Sequence, residues 1–507
     1  MKVEPGRHSA SALGGRVELE ADVVVIGSGA GGSACAAALA DAGLSVAVIE
    51  EGRHWKPADF RQDTAFSLRN LYQDRGARTT RGNAIIPLPG GRGVGGSTLI
   101  NSAIAFKTPA PVLKQWREDF GCERATDERF AGYFDRIWRT IGVTVNPVAV
   151  QRNNNLVFKE GAEKLGLNGQ WLARSAPGCA GCGICQYGCP SGGKFSVDRT
   201  FLAEAIAKGT VGVYADCRVT GVQSEGDKIT AVTGHILDPE TFAPIGEVVA
   251  KGKVFVVAGG PIQSPLFLLK NGLASSDHCG QHLVIHPTCG LLARNPQVIA
   301  PWSGVTQGYY VDCWDKGFLL QTFTVTPDQY FLMLQGPVGA ATMEWMADLS
   351  HVSSAGALVH DQDSVGFVRQ TPIGADIYYH FGDGDKTRLI DGMRLCAKVM
   401  LAAGATSVMA GHMGATPLAR AEDVDSALPY ELPAQQIFLY ASHPMGTCRM
   451  GGEASSSVVD PTGKVWGWAN LRVADASVFP TSLGVNPQVT TMAMGLMVGE
   501  AIAAEGI

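Results

Sequence analysis

The sequence predicts an α/β fold: a Rossmann-like nucleotide-binding domain, and a second part with an antiparallel sheet and flanking helices. Three observations carry this. Residues 22–50 read as strand, glycine turn, helix, strand and acid, in that order. Residues 317–335 and 364–381 are rich in Phe, Tyr, Val and Thr with partial alternation, which suits strands of an antiparallel sheet. Residues 386–403 carry helical periodicity, with Gly404 as the expected stop.

The nucleotide motif comes first. Asp22-Val-Val-Val-Ile26 is a β-branched run ending at G-S-G-A-G-G, residues 27–32. An Ala-rich helix candidate follows at 34–42, then a strand at 44–49 closed by Glu50. The glycines differ in what they allow. Gly27 permits the sharp turn, Gly29 lets a pyrophosphate approach, and Gly32 lets helix and strand pack closely. The helix N-terminus offers free N–H groups to phosphate, and Glu50 can accept hydrogen bonds from a ribose. This motif alone does not separate FAD from NAD.

Composition narrows the class. At 507 residues the length suggests two or three domains. Gly makes up 63 of 507 residues and charged residues only 17%, which indicates much buried backbone and excludes a disordered chain. The net charge is −6 with dispersed basic residues, so nucleic acid is not an expected partner. The first twenty residues lack an apolar signal core. The charge-free stretches 23–40 and 476–499 are broken by Gly, Pro, Asn and Gln, so neither suits a lipid-facing span. A cytoplasmic protein with mostly reduced cysteines, or cysteines serving as metal or cluster ligands, is the expectation.

Further motifs follow in order: G-G-R-G-V-G-G-S-T-L-I-N-S-A-I at 90–104, G-G-P-I-Q-S-P at 259–265, S-H-P-M-G-T-C-R-M-G at 442–451, L-R-V-A-D-A-S-V-F-P at 471–480 and V-N-P-Q-V-T-T at 485–491. With these the sequence resembles the glucose–methanol–choline (GMC) oxidoreductases, a family of FAD enzymes. The resemblance implies that Gly27, Gly29, Gly32 and Glu50 hold the ADP part of FAD. It places Gly96, Ser97 and Asn101 beside the pyrophosphate and isoalloxazine, Val219 on the adenine side, and Asp475 and Ala476 at the pyrophosphate. It leaves about 290–435 without a recognisable pattern.

Oxidising an alcohol through a flavin requires loss of the hydroxyl proton and transfer of the carbinol hydride to N5. A neutral His suits the proton. The resemblance puts it at His443, at the start of His-Pro-Met-Gly-Thr, with Asn486 as its partner 43 residues later. Asn cannot act as a base, but it can orient the hydroxyl and stabilise alkoxide charge. His282 and His286 read as packing or supporting residues.

Cys179, Cys182, Cys185 and Cys189 follow the C-x2-C-x2-C-x3-C-P spacing of a bacterial ferredoxin run. The expectation is an iron–sulfur cluster, [4Fe-4S] or [3Fe-4S]. Free structural thiols, a disulfide or a zinc site remain the alternatives. A similar segment before Gly-x-Lys-x-Ser, here Gly193-Lys-Phe-Ser196, occurs in long-chain alcohol oxidases of the family. The other eight cysteines read as small buried residues.

The expected organisation is a tail or short added strand at 1–19, a discontinuous FAD-binding domain at 20–145, 195–290 and 440–507, a cysteine-rich insertion at 146–194 and a substrate domain at 291–439. Tyr330, Phe331, Met343, Trp345 and Tyr378 are candidate pocket residues, although core packing is the commoner role for such side chains. The resulting expectation is an FAD-dependent alcohol dehydrogenase acting on an uncharged small alcohol. The cluster would pass electrons to an external partner. An O2-using oxidase with a structural cysteine loop, an FAD-containing lyase, a reductase running inward and a non-catalytic subunit are the alternatives.

Overall fold

The computed structural model describes residues 2–334, 339–372 and 374–507, apart from the side chain of Leu332. Met1, Gln335 and Ile373, which fall within stretches interpreted above, lie outside the described residues. The molecule is mixed α/β, with two large sheets and a hydrophobic core around each.

The first sheet runs Gly6–Ser9, Val211–Ala215, Val46–Ile49, Arg16–Ile26, Pro244–Val257, Lys228–Leu237 and Cys217–Glu225, with Leu471–Val473 also paired to Pro244–Val257. Its centre is parallel, with Val23–Ile26 in register with Val46–Ile49 on one side and Val254–Val257 on the other. These strands are buried on both faces, as expected of a parallel sheet covered by helices. The Ala-rich segment forms helix Ala30–Asp41. Against it lies Gln488–Ala504, where the backbones approach so closely that a Cβ on Gly495 would sit 2.2 Å from Gly31 O. The charge-free C-terminal stretch is therefore core. Among the described residues, no helix is long and apolar enough to cross a membrane.

The second sheet is antiparallel, in the order Ser407–Met409, Thr288–Arg294, Val352–Val359, Phe318–Thr322, Tyr309–Cys313 and Gly169–Trp171. Helix Asp383–Ala402 covers its outer face and stops at Gly404, which has φ +99°.

Two expectations change here. Strand character from 317 ends at Thr322, and Pro327–Met333 is a helix. Thr326-Pro327-Asp328-Gln329 forms a capping box with Pro in the first turn, and this start signal outweighs β-propensity. The stretch 364–381 does form a hairpin, Val365–Thr371 with Gly374–His380, but in a separate three-stranded sheet with Arg81–Gly82. The cysteine-rich segment also contributes to the second sheet through Gly169–Trp171.

Candidate active site

The parallel strands of the first sheet end on one side of a large cavity. Gly27 follows Arg16–Ile26, Glu50 follows Val46–Ile49, Gly259 follows Pro244–Val257 and Asp475 follows Leu471–Val473; all four line it. Ligands of open α/β sheets sit at such carboxyl-end crevices. The opposite wall comes from the second sheet and the segment after it, with Gln321, Phe323, Val325, Met333 and Leu358. The cavity measures about 1280 Å³, larger than the ~300–1,000 Å³ of a typical small-molecule pocket. It has room for a dinucleotide and more.

Gly27, Gly29, Glu50, Gly96, Ser97, Asn101, Val219, Asp475 and Ala476 all line this cavity, together with His443 and Asn486. Gly32 does not. A Cβ on Gly32 would lie 2.1 Å from Gly27 O, so its role is packing of helix on turn. A Cβ on Gly29 would meet no protein atom within 4 Å, so the backbone there faces open space in the cavity. Opposite it, a Cβ on Gly96 (φ +55°) would lie 2.9 Å from Gly29 Cα. The two glycine segments form a narrow backbone cradle that fits a pyrophosphate. Ser28 donates to Glu50 Oε2 from N and Oγ at 3.0 and 2.8 Å, and Gly52 N donates to Oε1 at 2.9 Å. Burial pushes the Glu50 carboxyl up, and these bonds oppose the shift. Asp475 accepts from Gly260 N at 2.9 Å and Ser477 N at 2.8 Å, tying the third strand end to the fourth.

At the other end, Asn486 Nδ2 lies 3.2 Å from His443 Nε2, and Gln321 Nε2 donates to Asn486 Oδ1 at 2.8 Å. His286 Nδ1 lies 3.2 Å from His443 Nδ1, while Gly484 N donates to His286 Nε2 at 2.9 Å. Burial holds both imidazoles well below their ordinary pKa, with His360 adding to the effect on His286 and His286 to that on His443. Both are therefore neutral at pH 7. His282 lies elsewhere, with Nε2 2.8 Å from His278 Nδ1.

Among the described residues no group of three or more His, Cys, Asp or Glu is placed to hold a metal ion, and all twelve cysteines are free thiols. Each loop sulfur is occupied differently. Arg174 donates to Cys179 Sγ at 3.6 Å and Cys185 Sγ at 3.3 Å, Lys194 N donates to Cys189 Sγ at 3.2 Å, and Cys182 is exposed. Nothing in this arrangement supports an iron–sulfur cluster, and no chemistry is routed through one.

None of the five aromatic and Met candidates lines the cavity. Tyr330 and Trp345 are core, Phe331 and Met343 are exposed, and Tyr378 stacks on Phe367 at 4.9 Å. Sequence reasoning missed Gln321, Gln488 and Lys194. Gln488, two residues after Asn486, and Lys194, in the Gly-x-Lys-x-Ser motif, had a local signal; Gln321 had none. Asn101 Nδ2 donates to Gln488 Oε1 at 2.7 Å.

A parallel sheet whose strand ends open on a dinucleotide-sized cavity, roofed by an antiparallel sheet, is the architecture of a dinucleotide-binding protein. Known families agree. The GMC oxidoreductase profiles match residues 68–288 and 364–495, and an FAD binding domain profile matches 22–59. An uncharacterized GMC-type oxidoreductase of Mycobacterium tuberculosis is 32% identical over 96% of this chain and 76% of its own. A long-chain-alcohol oxidase of Arabidopsis thaliana, FAO4A, is 28% identical over 95% of this chain and 68% of its own. The crystal structure of pyridoxine 4-oxidase from Mesorbium loti superposes with a TM-score of 0.71 at 17% identity, covering 95% of this chain and 98% of that one. This chain belongs to the GMC oxidoreductase family.

Proposed function

We propose that this protein is an FAD-dependent alcohol oxidase acting on an uncharged primary alcohol with an apolar chain. The observation that carries it is the His443–Asn486 pair, 3.2 Å apart, in the wall of the cavity that also contains the glycine cradle. FAD, when bound, supplies the hydride acceptor. Gly29, Gly96 and Glu50 would hold its phosphates and ribose, with Asn101 nearer the ring. Asn486, itself held by Gln321, orients the hydroxyl and stabilises charge on its oxygen.

His443 takes the hydroxyl proton at Nε2. Two contacts set the His443 tautomer in opposite senses: Gly484 N–H at His286 Nε2 turns the His286 Nδ1 proton toward His443 Nδ1, whereas Asn486 Nδ2, whose oxygen is taken by Gln321, donates to His443 Nε2 and favours the free lone pair there. The tautomer with a free Nε2 lone pair prevails when the 3.2 Å contact with His286 opens. Losing one hydrogen bond costs about 1 kcal/mol, small against the roughly 10²–10⁴-fold contributed by a positioned base. The apolar wall of Phe323, Val325, Met333 and Leu358 suits an alkyl chain, as does the similarity to long-chain-alcohol oxidases. The similarity to long-chain-alcohol oxidases favours O2 as the electron acceptor.

The test is anaerobic mixing of the FAD-loaded protein with primary alcohols of increasing chain length. Flavin bleaching that strengthens with chain length, then peroxide formation on admitting air, is expected. No bleaching with any alcohol would sink the proposal and favour a lyase. Bleaching with slow reoxidation by O2 but fast reoxidation by a one-electron dye would replace the oxidase with a dehydrogenase.

A further inference from the structure

The cysteine-rich segment is tied into the loop that lines the cavity between Leu99 and Ala105. Lys194 Nζ donates to Leu99 O at 2.7 Å, Asn101 O at 2.9 Å and Cys185 O at 3.1 Å. Arg174 Nε donates to Ser102 O at 2.8 Å. Ser175 N donates to Ala103 O at 2.8 Å, and Ala105 N to Ala173 O at 2.9 Å. Ala103 is held at φ +61°, a left-handed conformation that a non-glycine residue keeps only when its surroundings impose it. Both cations are buried, Arg174 at 0% and Lys194 at 3% exposure. Neither forms one of the ion pairs found among the described residues. Two buried cations outside any ion pair, held mainly by carbonyls, an amide oxygen and thiols, are expensive to bury, which points to a role beyond packing. The loop they grip carries Asn101, whose side chain grips Gln488, two residues from Asn486.

We propose that Lys194 is a positioning residue for the flavin, and that with Arg174 it makes the cysteine segment a charged clamp on residues 99–103. This rests on FAD occupying the cavity but not on alcohol being the substrate. The clamp does two things. It fixes the backbone that carries Asn101 to the cavity wall. It also places a buried ammonium behind that wall, with little water to screen it, where positive charge favours the anionic reduced flavin over the neutral oxidised one.

The experiment is dye-coupled redox titration of FAD-loaded wild type and Lys194→Met, which needs no alcohol, alongside thermal melting of both proteins. The expected result is a lower flavin midpoint potential in the variant, with at least a tenfold loss of FAD affinity. A merely structural lysine would lower the melting temperature and leave the potential where it was; an unchanged potential therefore overturns the proposal, whatever happens to stability. If Lys194→Met does not fold, Cys185→Ala serves instead, because it removes the sulfur that helps fix Arg174 and faces Lys194 while leaving the Cys185 carbonyl to Lys194. A displaced flavin absorption band or potential is expected there, and a spectrum and potential identical to wild type would overturn the clamp.

Discussion

The two ends of the cavity are built from different materials. At the nucleotide end the wall is backbone: Gly27, Gly29 and Gly96 bring main chain to the surface, and a Cβ would fill the cradle or strike a carbonyl. At the proposed catalytic end the wall is side chains from distant segments, with His443, Asn486, Gln321 and His286 joined in one run of contacts. A backbone wall tolerates no added carbon but needs no partners. A side-chain wall tolerates exchange of atoms only while each contact survives. Substitutions at the first end should therefore act on FAD binding or stability, and at the second on rate.

The largest effect should come from His443→Gln, which keeps a polar side chain but removes the base. Flavin reduction by alcohol in stopped flow should slow by roughly 10²–10⁴-fold, with FAD content unchanged. Loss of FAD instead would mean the two ends are not separable. At the backbone end, Gly32→Ala places a carbon 2.1 Å from Gly27 O and should destabilise the chain by about 1–3 kcal/mol in denaturant melts without FAD. Gly29→Ala, with no protein atom within 4 Å, should leave that melt unchanged while weakening FAD binding. Equal melts for the two variants would erase the distinction between a packing glycine and a ligand-facing one. Gln321→Leu should leave Asn486 in place but unheld, slowing flavin reduction about 3–10-fold, the worth of one hydrogen bond.

The same contrast explains what could be read in advance. Gly27, Gly29 and Glu50 serve local needs, a turn and a strand end, so their spacing along 22–50 expresses them directly. His443 and Asn486 are singled out by motif resemblance, and the structure brings them within 3.2 Å across 43 residues. Gln321 was not legible: it reaches Asn486 across 165 positions, from a strand that stops short of its β-prone composition because Thr326-Pro327 starts a helix. The cysteine loop shows the limit of spacing. C-x2-C-x2-C-x3-C leaves the thiols free to converge, but it says nothing of Arg174, folded from five residues upstream against two of the sulfurs, or of Lys194 held by carbonyls on the other side.

The subtlest test of the side-chain end is its pH dependence. Burial lowers the pKa of His443 well below its ordinary value, with His286 contributing, and His286 and His360 are lowered as well. A base depressed in this way remains unprotonated, and active, as pH falls past 6.5; its acid limb lies lower. An ordinary imidazole with a pKa of about 6.5 would lose about fourfold in its neutral fraction between pH 7.5 and 6. The second-order rate constant for flavin reduction should instead fall by less than about twofold over that range. The same groups affect stability with the same sign. Protons bind the unfolded chain first, so stability is full above about pH 6.5 and declines below it. A steep rate loss centred near 6.5, without unfolding, would mean that His443 is hydrated in the working enzyme and that the contacts around it open before chemistry.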